Sequence, residues 1–276
     1  MDCKQKLDSI GLEFKHLSQL AYFVVVIYSS NSSVKTSRFI DFTLISAFLL
    51  LLDDHIKKSK DNCTQWMAIV SGNLTKYTTK LEIFYSEIIN PFRKTLTPFQ
   101  LKRFDQMLRD YINHAMREHE TAVDLSQLTL DEYIKHRIEG DVSHFQWLMI
   151  EVGLNLDIQQ ELFESEEMVK LIDNFYKCIA IFQDIYSYQK QNTLNQTKVN
   201  YLSLTMRDIG FDLDMAVKKA LGHILGYEQA IYEHLSKVCA EEKSLGDLFF
   251  ETFGNYLHTV VLFYKKFGRY NEFNQI

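Results

Sequence analysis

The chain has 276 residues, enough for one large domain or two average ones, but it contains only two prolines and ten glycines. Since a β-sandwich or β-barrel needs frequent Gly and Pro turns, this composition argues strongly against those classes. A formal net charge of −6, without a basic block, argues against a nucleic-acid partner.

The cysteines and the apolar segments indicate the cellular compartment. Cys3, Cys63, Cys178 and Cys239 form no C-x-x-C pair and are expected to be reduced thiols. The amino end, MDCKQKLDSIG, lacks the apolar region of a signal peptide. The most apolar run, residues 44–52, is too short to span a bilayer. We therefore expect a cytoplasmic protein without stable membrane insertion.

Helical periodicity runs through almost the whole chain, without repeats or flexible linkers, which predicts one domain over residues 1–276. Helices are predicted at 4–28, 37–59, 64–90, 98–122, 129–152, 166–191, 199–208, 213–240 and 244–267. Thr97-Pro98 and Thr129 are typical helix starts. Residues 41–52 and 171–182 are apolar on more than one face, which is typical of central helices. We predict an all-α barrel or bundle whose many aromatic side chains surround an apolar cavity.

The first polar feature is Asp53-Asp54, which follows the apolar run in FLLLLDDHIKK. Two adjacent acids are costly to bury unless they meet cations. The alternative is that a buried helix reaches the surface here, with Lys57 and Lys58 in its solvated end. The local pattern alone favours this alternative.

The next two features lie further along the chain. Arg137 stands in DEYIKHRIEGD, where Gly140 interrupts the helical pattern and costs about 1 kcal/mol relative to alanine. Gln183, Ser187 and Gln191 are spaced four residues apart and share one helix face. Oxygen ligands on successive turns suit a hard divalent cation such as Mg²⁺. Taken alone, Arg137 is explained as a surface cation and the 183–191 segment as a polar helix end.

With Arg269-Tyr270 near the carboxyl end, these features together resemble a class I terpene synthase (terpene cyclase) of the short, single-domain microbial type with degenerate metal-binding motifs. Asp53-Asp54 match the start of its aspartate-rich motif. Residues 183–191 match its Asn-Asp-x-x-Ser-x-x-x-Glu motif. Arg137 matches the diphosphate-sensing arginine and Arg269-Tyr270 the terminal Arg-Tyr pair, each at the separation typical of the family. The resemblance covers residues 41–270.

The resemblance implies a class I terpenoid synthase-like helical bundle with a central apolar cavity. It also implies an isoprenyl diphosphate substrate, bound through up to three Mg²⁺ ions, and release of diphosphate to leave a carbocation. The implied metal ligands are Asp53, Asp54, Gln183, Ser187 and Gln191. The implied diphosphate-binding residues are Arg137, Lys190, Arg269 and Tyr270, of which Arg137, Arg269 and Tyr270 are the catalytic ones.

Aromatic rings on the apolar helices suit that chemistry, because a carbocation needs π faces and the exclusion of water. The candidates for such a wall are Phe23, Phe42, Phe48, Phe145, Trp147, Phe175 and Tyr176. For most of these rings, ordinary core packing is the better explanation.

The motifs depart from the family pattern in ways that bear on metal binding. After Asp53-Asp54 the next acid is Asp61, so the usual third acid is absent. Gln183 and Gln191 replace Asn and Glu, and the second replacement removes the only formal charge of that metal site. Asp184 points about 100° away from Gln183 on a helix and cannot replace it. The third Mg²⁺ would then depend on the charge of the substrate.

A further departure concerns the positions that the resemblance assigns to the linker and effector of induced fit. Gly140 and Asp141 fall there, but the glycine comes one position early.

Two functions remain open at this stage. The first is a Mg²⁺-dependent cyclase, with farnesyl diphosphate as the favoured substrate. The alternative is a weakened or inactive relative that binds a prenyl diphosphate or another apolar ligand. A chain-elongating prenyltransferase is disfavoured, because FQDIYSYQK contains a single aspartate. Whether the chain forms a homodimer is left open.

Overall fold

The computed structural model describes residues 2–28, 36–74, 76–121, 124–142, 144–193, 199–210, 212–241, 254–256 and 259. Its helices are α1 (Cys3–Ser9), α2 (Leu17–Tyr28), α3 (Thr36–Ile56), α4 (Lys60–Val70), α5 (Lys80–Phe84), α6 (Asn90–Arg93), α7 (Pro98–Glu120), α8 (Leu130–Glu139), α9 (His144–Gly153), α10 (Gln160–Phe163), α11 (Glu166–Thr193), α12 (Tyr201–Ile209) and α13 (Leu213–Glu241). A π-helical turn, Tyr85–Ile89, joins α5 to α6, and a 3-10 turn, Leu125–Gln127, precedes α8. No strand occurs within the described ranges, and the all-α prediction is confirmed.

The two predicted helix starts are confirmed at α7 and α8. The Thr97 side chain accepts a hydrogen bond from the backbone N–H of Gln100, and the Gln100 side chain accepts one from the N–H of Thr97. Thr129 and Glu132 form the same reciprocal pair at the start of α8. Each pair satisfies two N–H groups that a helix start otherwise leaves without partners, so both starts are fixed by local sequence.

Three of the predicted helical stretches are wrong in extent, because each is divided by a turn. Stretch 4–28 breaks after α1, where Gly11 adopts a φ of +65°. Stretch 64–90 breaks after α4, where Gly72 adopts a φ of +75°. Both angles lie in the left-handed region, which glycine adopts at little cost. Stretch 129–152 breaks at Gly140, which ends α8. Most of the predicted stretch 244–267 lies outside the described residues.

The described residues divide into two compact units, and residues 2–121 with 144–158 form the first. Its core contains α3, whose apolar side chains between residues 42 and 52 are almost all buried, as predicted for a central helix. The Phe48 ring lies 5.6–5.8 Å from the rings of Trp66, Phe84 and Tyr85, measured between centroids. The aromatic side chains of this unit therefore stabilise its core by packing on one another.

Residues 124–142 and those from 159 onward form the second unit. Here α11 packs along α13, and the apolar side chains of 171–182 are buried as predicted. Phe175 contacts Tyr256 at a ring-centroid distance of 5.1 Å. The single domain over 1–276 and the central cavity stay predictions. No helix within the described ranges is both long and apolar enough to cross a membrane.

The first unit contains a buried ion pair that should be costly to disrupt. Arg103 on α7 donates to both carboxylate oxygens of Glu151 on α9, at 2.6 and 2.7 Å, and Gln100 donates to the same carboxylate at 3.2 Å. The Glu151 side chain is fully buried. Burial raises the pKa of Glu151, and the pair with Arg103 opposes that increase. Removing the arginine therefore leaves a buried carboxylate without its cation.

We expect Arg103→Met to lower the free energy of unfolding by about 3 kcal/mol at pH 8. Without Arg103 the folded-state pKa of Glu151 rises further, so ionisation of Glu151 costs the variant more stability than it costs the wild type, and this difference increases as the pH rises through the pKa. The loss should therefore be smaller at pH 5 than at pH 8. Urea denaturation at both pH values measures it. The control is Lys170→Met, which removes an exposed ion pair with Glu166 and should cause no measurable change.

Candidate functional site

Asp53 lies near the end of α3 in the first unit, three residues before the helix stops. The Tyr111 hydroxyl on α7 donates to its carboxylate, and Lys57 Nζ lies 2.7 Å from the same oxygen. The Asp53 side chain is 19% exposed, whereas Asp54 and Lys57 are exposed. The acids therefore stand where a buried helix reaches the surface, as the alternative interpretation holds, and Asp53 also keeps a half-buried carboxylate.

The end of α3 is held by side chains from two neighbouring helices. Asn62 Nδ2 donates to the main-chain oxygen of His55 at 2.8 Å. His119 Nε2 and Cys63 Sγ both contact the main-chain oxygen of Ile56, at 2.9 and 3.4 Å. These contacts satisfy carbonyl groups that a helix end otherwise leaves without partners. They fix the position of the helix turn that carries Asp53.

Arg137 on α8 is the centre of a polar cluster in the second unit. Its Nε donates to Asp184 Oδ1 on α11 at 3.2 Å, and its Nη1 donates to Asp141 Oδ2 at 2.8 Å. Its Nη2 donates to Gln183 Oε1. Gln183 Nε2 in turn lies 3.3 Å from Asp141 Oδ1. The predicted diphosphate-binding arginine and the first position of the predicted metal motif are therefore in direct contact.

Asp184 is the most deeply buried acid of this cluster. Besides Arg137, the Tyr133 hydroxyl donates to its Oδ2 at 2.6 Å and the backbone N–H of Tyr201 donates to the same oxygen at 2.8 Å. Asn200 Nδ2 donates to the main-chain oxygen of Asp184 at 3.1 Å. These contacts join α8, α11 and the start of α12.

The electrostatics of this cluster keep Arg137 charged. Burial by itself lowers the pKa of Arg137, but the carboxylates of Asp141 and Asp184 raise it well above the ordinary value. Burial raises the pKa of Tyr133 strongly, and the adjacent Asp184 carboxylate raises it further. Tyr133 is therefore a neutral hydrogen-bond donor and Arg137 a fixed cation at any physiological pH.

Ser187 lies one helical turn after Gln183, on the same face of α11. Its side chain is buried, and its Oγ has no hydrogen-bond partner among the described residues. A buried hydroxyl without a partner costs free energy, so its retention needs a reason. An oxygen atom in that state is available to a ligand such as a hard cation.

Several predicted site residues fall beyond what the structure describes. Lys190 and Gln191 belong to α11 by their backbone, but their side chains lie outside the described residues, as do Arg269 and Tyr270 entirely. Their predicted roles as metal ligand or diphosphate-binding residues stay predictions.

Three residues of these clusters have contacts that the sequence alone did not indicate. Tyr111 bonds Asp53, and Tyr133 bonds Asp184. For Asp184 a signal was available, because an acid two residues after the apolar run 178–182 must find cations or donors when its helix is buried. Tyr133 precedes Arg137 by four residues and so shares its helix face, which is a weaker signal.

The sequence of residues 45–228, more than half of the chain, matches the family described as terpene synthase family 2, C-terminal metal binding. The chain belongs to this terpene synthase family. The matched range contains Asp53, Arg137 and the whole 183–191 segment, whereas Arg269 and Tyr270 lie beyond it.

Two relatives and one solved structure illustrate how far this terpene synthase homologue resembles known members. It is 26% identical over 145 residues to sesquiterpene synthase 14 of Postia placenta, covering 52% of this chain and 41% of that protein. It is 22% identical over 158 residues to tsukubadiene synthase of Streptomyces tsukubensis, covering 57% of this chain and 47% of that protein. The matched stretches therefore span less than half the length of either relative.

The fold resembles that of germacradien-4-ol synthase from Streptomyces citricolor, with a TM-score of 0.77. The likeness covers 95% of this chain and 91% of that chain at 12% sequence identity. At this identity the likeness concerns the fold alone, and it confirms the predicted class I terpenoid synthase-like helical architecture.

Proposed function

We propose that this terpene synthase homologue is a Mg²⁺-dependent cyclase that ionises an isoprenyl diphosphate and cyclises the resulting carbocation with release of diphosphate. The observation that carries the proposal is the contact between Arg137 and Gln183, one turn from the buried Ser187 Oγ, which has no partner among the described residues. A permanent cation and an available oxygen are thereby brought to one side of α11. Both are needed to bind a metal-diphosphate group.

The donor sets fit Mg²⁺, which prefers carboxylate, amide and hydroxyl oxygens. Asp53 offers a half-buried carboxylate, and Asp54 stands next to it in exposed position. Ser187 offers its Oγ, and Gln183 Oε1 keeps a second lone pair beside the one that accepts from Arg137. Gln191 would complete the second set. When bound, Mg²⁺ would neutralise charge on the diphosphate and make it a better leaving group.

The protein side chains would hold the diphosphate and protect the carbocation. Arg137 would bind diphosphate oxygens through its Nη groups, with the planar fork geometry that suits this anion. Lys190, Arg269 and Tyr270 are proposed as its partners on the basis of the motif match. Buried aromatic rings such as Phe175 would exclude water and offer π faces. The name of the Postia placenta relative supports farnesyl diphosphate as the substrate.

A specific observation favours the alternative, a weakened homologue. Both amide atoms of Gln183 are bonded within the cluster, to Arg137 and Asp141. The second motif also lacks its terminal acid, because Gln191 replaces it. A metal at this site would have no carboxylate ligand from the 183–191 segment that the motif match assigns to it.

Turnover assays separate the two functions. The purified chain is incubated with Mg²⁺ and geranyl, farnesyl or geranylgeranyl diphosphate, and hydrocarbon products and released diphosphate are measured. We expect metal-dependent product with farnesyl diphosphate and none in the presence of excess chelator. If none of the three substrates gives product or diphosphate, the cyclase proposal is wrong and the alternative stands.

Restoring the missing acid should strengthen the second metal set. We expect Gln191→Glu to lower the Mg²⁺ concentration needed for half-maximal rate by about tenfold, because ligand charge sets the affinity for hard cations. Gln189→Glu adds the same charge on another face of the helix and serves as the control. An unchanged or higher Mg²⁺ requirement in Gln191→Glu would show that this position does not contact a metal.

A further inference from the structure

The Asp184 carboxylate accepts hydrogen bonds from both neutral and charged donors. The Tyr133 hydroxyl, the Tyr201 N–H and Arg137 Nε all donate to it, at 2.6, 2.8 and 3.2 Å. Its side chain is only 1% exposed. Three donors from two helices, α8 and α12, leave little of its oxygen surface for a metal ion and its waters.

The residues that hydrogen-bond Asp184 from the start of α12 make further hydrogen bonds of their own. Tyr201 is the first residue of α12, and its hydroxyl lies 2.5 Å from His223 Nδ1 on α13. Asn200, the cap of α12, accepts from the backbone N–H groups of Leu202 and Ser203 through its Oδ1. Its Nδ2 binds the main-chain oxygen of Asp184. Main chain and carboxylate of Asp184 are therefore tied to the same helix start, which fixes the carboxylate in place.

The Nη groups of Arg137 donate to two other side chains. Asp141 follows Gly140 in the turn after α8, and Gln183 is a partly exposed amide side chain. A guanidinium has five N–H groups, of which three donate here. The remaining two, one on each Nη, have no partner among the described residues. The Nε edge is thus bound to a rigid carboxylate, whereas each Nη keeps one N–H group for a further acceptor.

We propose that Asp184 is a positioning residue for Arg137, and that Tyr133 and the start of α12 hold it in that role. The contact at Nε fixes the guanidinium plane, while the remaining N–H group on each Nη donates to diphosphate oxygens. A guanidinium that is already oriented loses less conformational freedom when it binds an anion. The binding step rests on the proposed function, whereas the fixed Nε contact does not.

The fixed contact is tested by NMR without any ligand. In protein labelled with ¹⁵N-arginine, the Nε–H signal of Arg137 is assigned by its loss in Arg137→Lys. We expect this Nε–H to exchange with solvent at least about tenfold more slowly than that of an exposed arginine. Tyr133→Phe, which keeps the carboxylate, and Asp184→Asn should both accelerate the exchange. The control Tyr85→Phe removes a buried hydroxyl that has no partner among the described residues, and it should leave the exchange unchanged.

The effect on ligand binding is tested by a double-mutant cycle with Mg²⁺ and inorganic diphosphate, measured by calorimetry. We expect Asp184→Asn to lower the diphosphate affinity about five- to tenfold in the wild-type background. In the Arg137→Gln background the same substitution should change it less than twofold, because Asp184 acts through Arg137. If Asp184 had only a structural role, Asp184→Asn would lower the melting temperature, but its effect on diphosphate affinity would not depend on Arg137.

The outcomes separate the two proposals. Fast Nε–H exchange in the wild type, or equal effects of Asp184→Asn in both backgrounds, would overturn the positioning role. Slow exchange that depends on Tyr133 and Asp184, in a protein that binds no diphosphate, would keep the fixed contact and refute the proposed function instead.

Discussion

Asp53→Ala is expected to abolish product formation, with a fall in rate of about a thousandfold or more. Asp53 is the half-buried acid of the aspartate pair, and its turn is fixed by contacts from α4 and α7. Without its carboxylate, the proposed metal set at this helix end keeps only the exposed Asp54. Product and diphosphate release with farnesyl diphosphate measure the loss.

Two further variants separate loss of a metal ligand from loss of packing. Tyr111→Phe removes the hydroxyl that donates to Asp53 but leaves the carboxylate, and it should retain a substantial part of the rate. Asp61→Ala removes an exposed acid from the first turn of α4 and should behave like the wild type. Turnover by Asp53→Ala at the wild-type rate would refute a metal-binding role for Asp53.

Arg137→Ala is expected to lower the rate by about a hundred- to a thousandfold, because it removes the cation proposed to stabilise the departing diphosphate. The same change leaves the carboxylates of Asp141 and Asp184 without their cation, so the folded protein should also lose about 3 kcal/mol. Assays must therefore be run below the measured melting temperature of the variant.

Arg137→Lys separates these two effects. A lysine keeps the positive charge near the carboxylates, so most of the stability should return. It cannot bind Asp184 and a diphosphate together as a planar fork does, so the rate should stay at least about tenfold below that of the wild type. Lys135→Ala, an exposed cation on the same helix, is the control. Full activity in Arg137→Lys would mean that Arg137 contributes only charge.

The parts of the fold that depend on local chemistry could be predicted from the sequence. Thr97 and Thr129 start helices because their hydroxyls cap the first turn, and this needs only neighbouring residues. The division of stretches 4–28 and 64–90 was missed, because Gly11 and Gly72 end helices only when the chain adopts a positive φ there. A glycine within a helical pattern does not by itself reveal which conformation it takes.

The candidate site was predictable in its residue types but not in its contacts. The spacing of Gln183 and Ser187 places them on one helix face, as observed. The bonds from Arg137 to Asp184 and from Tyr133 to Asp184 join residues that are 47 and 51 positions apart. Such pairs depend on how α8 packs on α11, which helical periodicity does not specify. Although Asp184 lies about 100° from Gln183 around the helix, both side chains bond Arg137, and Asp184 also bonds Tyr133.

The most direct test of the proposed function is a crystal structure of this chain with Mg²⁺ and inorganic diphosphate. We predict one Mg²⁺ bound to the Asp53 carboxylate, another bound to Ser187 Oγ, and diphosphate bound to the second ion and to the Nη groups of Arg137. Diphosphate bound away from Ser187 and Arg137, or Mg²⁺ that contacts neither Asp53 nor Ser187, would contradict it.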